Sequence, residues 1–164
     1  AEKLYRTAIE FANLSGKERV LDAYCGTGTI GIVASSKALS VTGVELNRKA
    51  CSDAKANIGI NSSSNVKIVC ADATEFILRE AESARKYDVI ILDPPRSGST
   101  PEFIKACGKL GPGKIVYVSC EPETLGRDLS LFAQNGYKAV KTVPCDMFPW
   151  TRATECVCLL TRGM

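Results

Sequence analysis

The chain contains no histidine among its 164 residues and no Cys-x-x-Cys pair. A zinc site would need an unusual all-cysteine or carboxylate cluster, so no metal is expected. No apolar run approaches the roughly 20 residues that a membrane span requires. The N-terminus, Ala1-Glu2-Lys3-Leu4-Tyr5-Arg6, lacks the secretory order of charge, apolar stretch and small-residue cleavage site. No Lys/Arg-rich block, internal repeat, low-complexity tract or interdomain linker occurs. The formal charge of +3 is therefore compatible with RNA but makes no case for it. The chain also lacks an initiator Met and starts inside an amphipathic helical pattern, as a piece cut from a longer protein would.

What remains is the profile of one soluble globular domain, with 45% apolar and 24% charged residues. The eight cysteines sit mostly in apolar runs, such as Cys70 after Val66-Lys67-Ile68-Val69, and Cys156 and Cys158 around Val157. Free cysteine in such places acts as a small hydrophobe, and without a secretory signal a reducing cytoplasm is expected.

Short β-branched runs alternate with helical stretches. Strands are predicted at Arg19–Ala23, Ser40–Glu45, Val66–Cys70, Tyr87–Leu92 and Lys114–Val118. Helices are predicted from about Thr29 to Lys37, through Ala50, Ala54 and Asn57, from Ala73 to Ala84, and from Pro122 to Asn135 with Gly136 as the stop. The run from Tyr87 to Leu92 is continuously apolar, the mark of a strand buried on both faces of a parallel sheet. Two β-rich segments, Tyr137–Cys145 and Glu155–Thr161, predict an antiparallel closing pair. The fold class is α/β: a doubly wound, Rossmann-like sheet, mostly parallel, with an antiparallel C-terminal pair.

Such sheets bind ligands outside the carboxyl ends of their strands. The residues there are Asp22-Ala23-Tyr24-Cys25-Gly26-Thr27-Gly28-Thr29, Glu45, Asp72, Asp93-Pro94-Pro95-Arg96 and Ser119-Cys120-Glu121-Pro122. The glycine turn suits close approach of backbone and ligand, although alone it is equally a tight strand-to-helix turn. Glu45, some 20 residues on, can accept both ribose hydroxyls of an adenosine cofactor. The turn lacks the third glycine of the dinucleotide pattern, having Ile30 and then Gly31. Asp72 offers an acceptor for an adenine amino group. Acidic residues at successive strand ends resemble class I S-adenosylmethionine-dependent methyltransferases.

The two prolines after Asp93 make a stiff turn, which can hold Asp93 at a methyl-transfer centre or simply rigidify a loop. Arg96 stands where amino-group methyltransferases carry an aromatic residue. Cys120 ends the fifth strand, next to the start of a helix whose N-terminus favours a thiolate. Carbon 5 of uracil is a poor nucleophile until a thiolate adds at carbon 6, and a base must afterwards remove the carbon 5 proton. Glu155, opening the last β segment, is the candidate base.

These motifs together resemble the RNA uracil-5-methyltransferase family: Asp22-x-Tyr24-Cys25-Gly26-x-Gly28, Glu45, Asp93-Pro94-Pro95-Arg96, Val118-Ser119-Cys120-x-Pro122, and Asp146-Met147-Phe148-Pro149 with Glu155. The resemblance covers essentially residues 1–164, read as one S-adenosylmethionine-dependent catalytic domain without the upstream RNA-binding portion. It implies Cys120 as nucleophile and Glu155 as base, with Tyr24, Gly26, Gly28, Thr29, Glu45, Asp72 and Asp93 at the cofactor. Asp93, Pro94 and Arg96 would face the target base. The implied substrate is RNA, 23S ribosomal RNA first and transfer RNA second.

Three departures accompany the resemblance. Ala153-Thr154-Glu155 replaces the family's H-x-E, Glu121 replaces the asparagine of VSCNP, and the family's upstream Phe-Gln segment and RNA-binding portion, sometimes with an iron–sulfur cluster, are not in this chain. Glu121 beside the nucleophile is expected to oppose thiolate formation. Two other readings stay open: a cytosine-5 or amino-group methyltransferase of the same fold, and a module that binds cofactor or RNA without turnover. Phe148 and Trp150 suit either stacking on a flipped-out base or plugging the sheet edge.

Overall fold

The computed structural model describes residues 2–145 and 154–163. The Asp146–Thr151 connection, with Phe148 and Trp150, and Ala153 lie outside the described residues. The chain runs α1 (Glu2–Ala12), β1 (Arg19–Ala23), α2 (Thr29–Ser35), β2 (Ser40–Glu45), α3 (Arg48–Ile60), β3 (Val66–Cys70), α4 (Ala73–Glu82), β4 (Val89–Leu92) and α5 (Pro101–Leu110). It continues through β5 (Lys114–Ser119), α6 (Pro122–Gln134), β6 (Tyr137–Cys145) and β7 (Glu155–Arg162).

The strands form one sheet in the order β3-β2-β1-β4-β5-β7-β6. The first five are parallel, β7 runs antiparallel to β5, and β6 pairs antiparallel with β7. After β1 the chain winds outward to β3 and then returns to the other side of β1 with β4. That reversal opens a crevice at the carboxyl ends of β1 and β4, where doubly wound sheets bind ligands.

Alternation along the strands divides two cores. Leu21, Ala23, Ile90, Leu92, Ile115 and Tyr117 pack beneath α4, α5 and α6 with Phe76, Phe103 and Phe132. Val20, Val89, Ile91, Val116 and Val118 face the opposite way, against Leu4 and Ala8 of α1 and Ile30 and Ala34 of α2. Because side chains alternate, the strand-end residues Asp22, Asp93 and Cys120 fall on the α1 side.

Helix starts explain most of the connections. Asn47, Asp72 and Thr100 each accept a hydrogen bond from the backbone N–H three residues on. The strand-and-helix pattern assigns nothing between Leu92 and Lys114, where α5 forms with Thr100 as cap, Pro101 at its first turn and left-handed Gly111 as stop.

Other boundaries differ by a residue or two, for local reasons. The helix expected to reach Lys37 ends at Ser35, where the hydroxyls of Ser35 and Ser36 donate back to Ile32 O and Val33 O. The strand expected from Tyr87 begins at Val89, because the Tyr87 hydroxyl donates to Glu80 (2.6 Å) and the Asp88 carboxylate accepts from Arg19 N. The edge strand β6 is guarded by exposed Lys138, Lys141 and Pro144 and by a bulge between Ala139 and Lys141.

Candidate active site

At the β1–β3 end, the glycine turn takes three left-handed residues: Tyr24 (φ 60°), Gly26 (φ 53°) and Gly28 (φ 82°). The unusual one is Tyr24, since a bulky residue rarely holds this conformation outside a functional site. Its ring rests 5.6 Å from that of Phe103, and its hydroxyl lies 3.4 Å from Ser99 Oγ. Gly28 starts α2, and a methyl group there would meet Ala54 Cβ at 3.3 Å.

Glu45 accepts from Gly26 N (2.9 Å) through one oxygen and from Asn47 N (2.7 Å) through the other. The carboxylate thus ties the glycine turn to β2 while keeping further lone pairs. Asp72 caps α4 with one oxygen, accepting from Glu75 N at 3.0 Å. A cleft of about 470 Å³ opens among Tyr24, Glu45, Asp72, Asp93, Pro95 and Thr100. A second hollow, of about 450 Å³, lies at the opposite ends of the strands beside Arg19, Lys67 and Arg85. None of the strand-end carboxylates lines it.

At the β4–β5–β7 end, the last ladder pair of β5 and β7 is Ser119↔Cys156. One step further, the antiparallel register brings Cys120 level with Glu155, two side chains on one face. Asp93 arrives from β4 and Arg96 from the turn after it. Burial pushes the Cys120 thiol up, the charges of Glu155 and Asp93 push it further, and Arg96 pulls it back. Burial raises Asp93 to about 6, and Glu155 adds to the effect. Burial likewise raises Glu155, against the pull of Arg96.

The sequence expectation about the thiol therefore changes. The helix N-terminus does not leave Cys120 acidified, and the carboxylates that oppose its ionisation are Glu155 and Asp93. Glu121 starts α6, with its backbone N–H and C=O both engaged by the Ser119 hydroxyl. Thr29 is exposed at the start of α2, outside the residues lining the cleft. Pro94 is buried while Pro95 lines the cleft, so of the two prolines the second faces the open space.

The loop carrying Asp93 is clamped from α6. Asp128 is fully buried and accepts from Ser99 N (2.8 Å), from the Tyr117 hydroxyl (2.6 Å) and from Arg127 Nε (2.9 Å). The Arg127 guanidinium also donates to Ser97 O and Ser99 O, and the Thr124 hydroxyl donates to Arg96 O. Gly98 (φ 76°) lies flat on this pair, and a Cβ there would fall 2.6 Å from Asp128 Oδ2. The loop geometry is thereby set by a carboxylate that never reaches the cleft.

Two residues of the site carry no role in the sequence reading: Asp22, which stands there only as part of the strand-end motif, and Tyr5. Asp22 is 1% exposed, and its oxygens have no hydrogen-bond partner of good geometry among the described residues. Burial raises it to about 7; the nearby Gly31 N–H counters this, while Asp93 and Glu45 add to it. Gly31 has no room for a side chain, since its Cβ would stand 2.9 Å from Asp22 Oδ2. An acidic residue closing an apolar strand was the available signal for Asp22. Tyr5 of α1 is the other: burial raises its phenol, then the charges of Asp93, Glu155 and Asp22 do so. Its neighbourhood depends on how α1 docks, which no local pattern records.

An orphaned, buried acidic group that feels the charges of Asp93 and Glu45 fits a site whose ligand brings positive charge. The family model for tRNA (uracil-5-)-methyltransferase matches residues 1–163. An RNA methyltransferase of Streptococcus mutans is 44% identical over 163 residues, 99% of this chain and 36% of its own length. One from Clostridium tetani is 44% identical over 160 residues, 98% of this chain and 35% of its own length. The chain thus spans about a third of the relatives it matches.

Among solved structures, the Pyrococcus abyssi tRNA (uracil-54, C5)-methyltransferase in complex with S-adenosyl-L-homocysteine superposes with a TM-score of 0.80. It is 33% identical and covers 97% of this chain and 38% of its own. A precorrin-6y C5,15-methyltransferase of Geobacter metallireducens reaches a TM-score of 0.79 over 98% of this chain and 88% of its own. At 16% identity it speaks for the fold alone. The family model spans residues 1–163, and the chain belongs to the tRNA (uracil-5-)-methyltransferase family.

Proposed function

We propose that this chain is the catalytic domain of an S-adenosylmethionine-dependent RNA methyltransferase acting on carbon 5 of a uridine. The observation that carries the reading is the facing of Cys120 and Glu155 across β5 and β7, with Asp93 and Arg96 beside them. Few chemistries need a thiol and a carboxyl on one small target, and addition–elimination at a pyrimidine does.

Tyr24, Glu45 and Asp72 line the cleft that would hold the adenosine part of the cofactor, and Asp22 and Asp93 supply negative charge toward its cationic part. S-adenosylmethionine, when bound, supplies an electrophilic methyl group. The Cys120 thiol would give its proton to solvent as its sulfur adds to carbon 6 of uracil, leaving carbon 5 nucleophilic toward the methyl group that the cofactor would supply. Glu155 then accepts the carbon 5 proton, and the sulfur–carbon 6 bond breaks to return the thiolate. A Glu155 carboxyl raised by burial is a better proton acceptor than one in water, by the same physics that holds the thiol protonated in the resting site. Arg96 is the cation at hand for the thiolate as it forms.

The RNA is proposed to be 23S ribosomal RNA, on the resemblance in length and motif wording. The P. abyssi relative, which acts on transfer RNA at uracil 54, favours transfer RNA as the second reading. In either case the RNA-binding surface would lie largely in the part of the relatives that this chain does not span.

The test is intact-mass spectrometry after mixing the protein with S-adenosylmethionine and RNA carrying 5-fluorouridine. Fluorine cannot leave as a proton does, so the expected product is a stalled adduct of methylated RNA on the Cys120 peptide. Absence of the adduct with the full-length parent protein on both ribosomal and transfer RNA would defeat the uracil-5 reading.

A further inference from the structure

Three cysteines outside the reaction just described gather around Glu45. Cys51, on the first turns of α3, is buried and points its Sγ at Glu45 O, 3.2 Å away. Cys70 closes β3, pairs in register with Glu45, and directs its Sγ at Leu46 O, 3.8 Å away. The two sulfurs therefore contact the carbonyls of consecutive residues in the connection that carries the cleft carboxylate. Cys70 is exposed, whereas Cys51 lies behind it. Burial pushes the Cys51 thiol up to about 11, and the Cys70 thiol beside it adds to the shift. Cys25 completes the group: a Cβ on Gly43 of β2 would meet its Sγ at 2.9 Å.

We propose that Cys51 and Cys70 form a reversible disulfide that weakens cofactor binding through the Glu45–Leu46 connection. The oxidant is a peroxide. The Cys70 sulfur attacks one peroxide oxygen and the O–O bond breaks; the departing oxygen takes the thiol proton and leaves as water. Cys70 is then a sulfenic acid. The Cys51 sulfur attacks the Cys70 sulfur and displaces hydroxide, which leaves as water with the Cys51 proton. Two electrons pass from the thiol pair to one peroxide, and a dithiol returns them by exchange.

Exposure sets the order of events. Cys70 meets solvent and takes the first oxidation; Cys51 is shielded and, being hard to ionise, resolves the sulfenic acid slowly. A disulfide holds its sulfurs about 2.05 Å apart. The disulfide has no S–H, so the hydrogen bonds that the two thiols donate to Glu45 O and Leu46 O are both lost and the connection is free to shift. The displaced connection is the one whose Asn47 N–H and Glu45 carboxylate hold the cleft wall. The effect on affinity rests on the proposed role of Glu45 in holding adenosine, whereas the disulfide itself does not.

The protein is treated with hydrogen peroxide, alkylated, digested with trypsin and mapped by mass spectrometry. The expected product joins the peptide Ala50–Lys55 to the peptide Ile68–Arg79, and dithiothreitol separates them. Alkylation of both cysteines, Cys70 sulfinic acid without a link, or a link from Cys51 to Cys25 each overturns the pairing. Calorimetry with S-adenosyl-L-homocysteine then compares reduced, oxidised and re-reduced protein. The expected result is about tenfold weaker binding in the oxidised form, near the loss of one charge-assisted hydrogen bond, with recovery on reduction.

The C70S variant should bind as the reduced protein does and ignore peroxide. Unchanged affinity in a protein shown to be linked overturns the effect on the cofactor. The E45A variant separates the two premises. If it binds the ligand as tightly as the parent while the link still forms, the reading of the cleft has failed and the disulfide stands.

Discussion

The two ends of the crevice treat the same side-chain chemistry differently. At the β2 and β3 ends, Glu45 and Asp72 are held by backbone donors, Glu45 by two and Asp72 by one. At the β4 and β7 ends, the Asp93 and Glu155 carboxylates take no hydrogen bond among the described residues, and they crowd a thiol. Burial raises all three, and the charge of Glu155 adds to the rise of Asp93 and Cys120. A satisfied carboxylate is geometrically fixed and electrically settled, which suits recognition. An unsatisfied one is ready to take a proton or a cation, which suits reaction. The turn between these ends is governed from outside the crevice, by Asp128 and Arg127.

The contrast is broken most completely by Cys120→Ala. Turnover should fall by roughly 10³-fold or more, with the 5-fluorouridine adduct lost. Calorimetry should show S-adenosyl-L-homocysteine binding as before, since the settled end is untouched. Residual turnover near the parent's would refute the assignment.

Next in size is Glu155→Gln, which keeps shape and removes the proposed base. A loss of about 10³-fold in kcat is expected, with an adduct to ordinary uridine accumulating because its elimination is blocked. Single-turnover kinetics with gel or mass detection of the adduct checks this. Loss of turnover without the adduct would place Glu155 before thiol addition instead.

Asp128→Ala strikes the clamp shared by both ends. It leaves the Tyr117 hydroxyl and Ser99 N–H buried without their acceptor, and Arg127 without its partner. Destabilisation of about 3 kcal/mol is expected in urea unfolding. A change under 1 kcal/mol would mean that water replaces the carboxylate easily.

Glu45→Ala tests the settled end alone. Affinity for S-adenosyl-L-homocysteine should drop by about 10- to 100-fold while kcat at saturating cofactor changes little. An equal loss in both would blur the division between the ends.

The smallest effect is a matter of pH. The folded-state values of Asp22 (about 7) and Asp93 (about 6) stand above the ordinary 3.8. The folded protein therefore holds these protons more tightly than the unfolded chain. That contribution to stability is full below about pH 4 and is lost as pH rises through about 6 and 7. Asp22→Asn should consequently raise the melting temperature at pH 8 by a few degrees, at about 2–4 °C per kcal/mol for a domain this size, and by little at pH 4. Equal shifts at both pH values would mean that Asp22 does not titrate in this range.

Much of the fold is legible in the order of residues. Continuous apolar runs such as Val89–Leu92 need two covered faces, and the caps Asn47 and Asp72 start helices wherever they stand. Helix α5 has signals as clear, in Thr100, Pro101 and Gly111, but it is short and flanked by the loop-type runs Ser97-Gly98-Ser99 and Gly111-Pro112-Gly113. Within the candidate site, the positions of Glu45, Asp72, Asp93, Cys120 and Glu155 were readable because each ends, follows or opens a strand. Strand ends converge in a doubly wound sheet whatever the intervening sequence.

Other features depended on contacts between distant segments. The register of β5 against β7 decides that Cys120 faces Glu155 and not some neighbour. Docking of α1 brings Tyr5 toward three carboxylates, and packing of α6 puts Asp128 under the loop that follows β4. Local spacing determines which residues lie at a strand end and on which face, because periodicity belongs to the backbone. Burial, charge crowding and the sharing of hydrogen-bond donors belong to neighbours far apart along the chain. The acidity of Cys120, Asp93 and Asp22 was therefore decided by the tertiary structure alone.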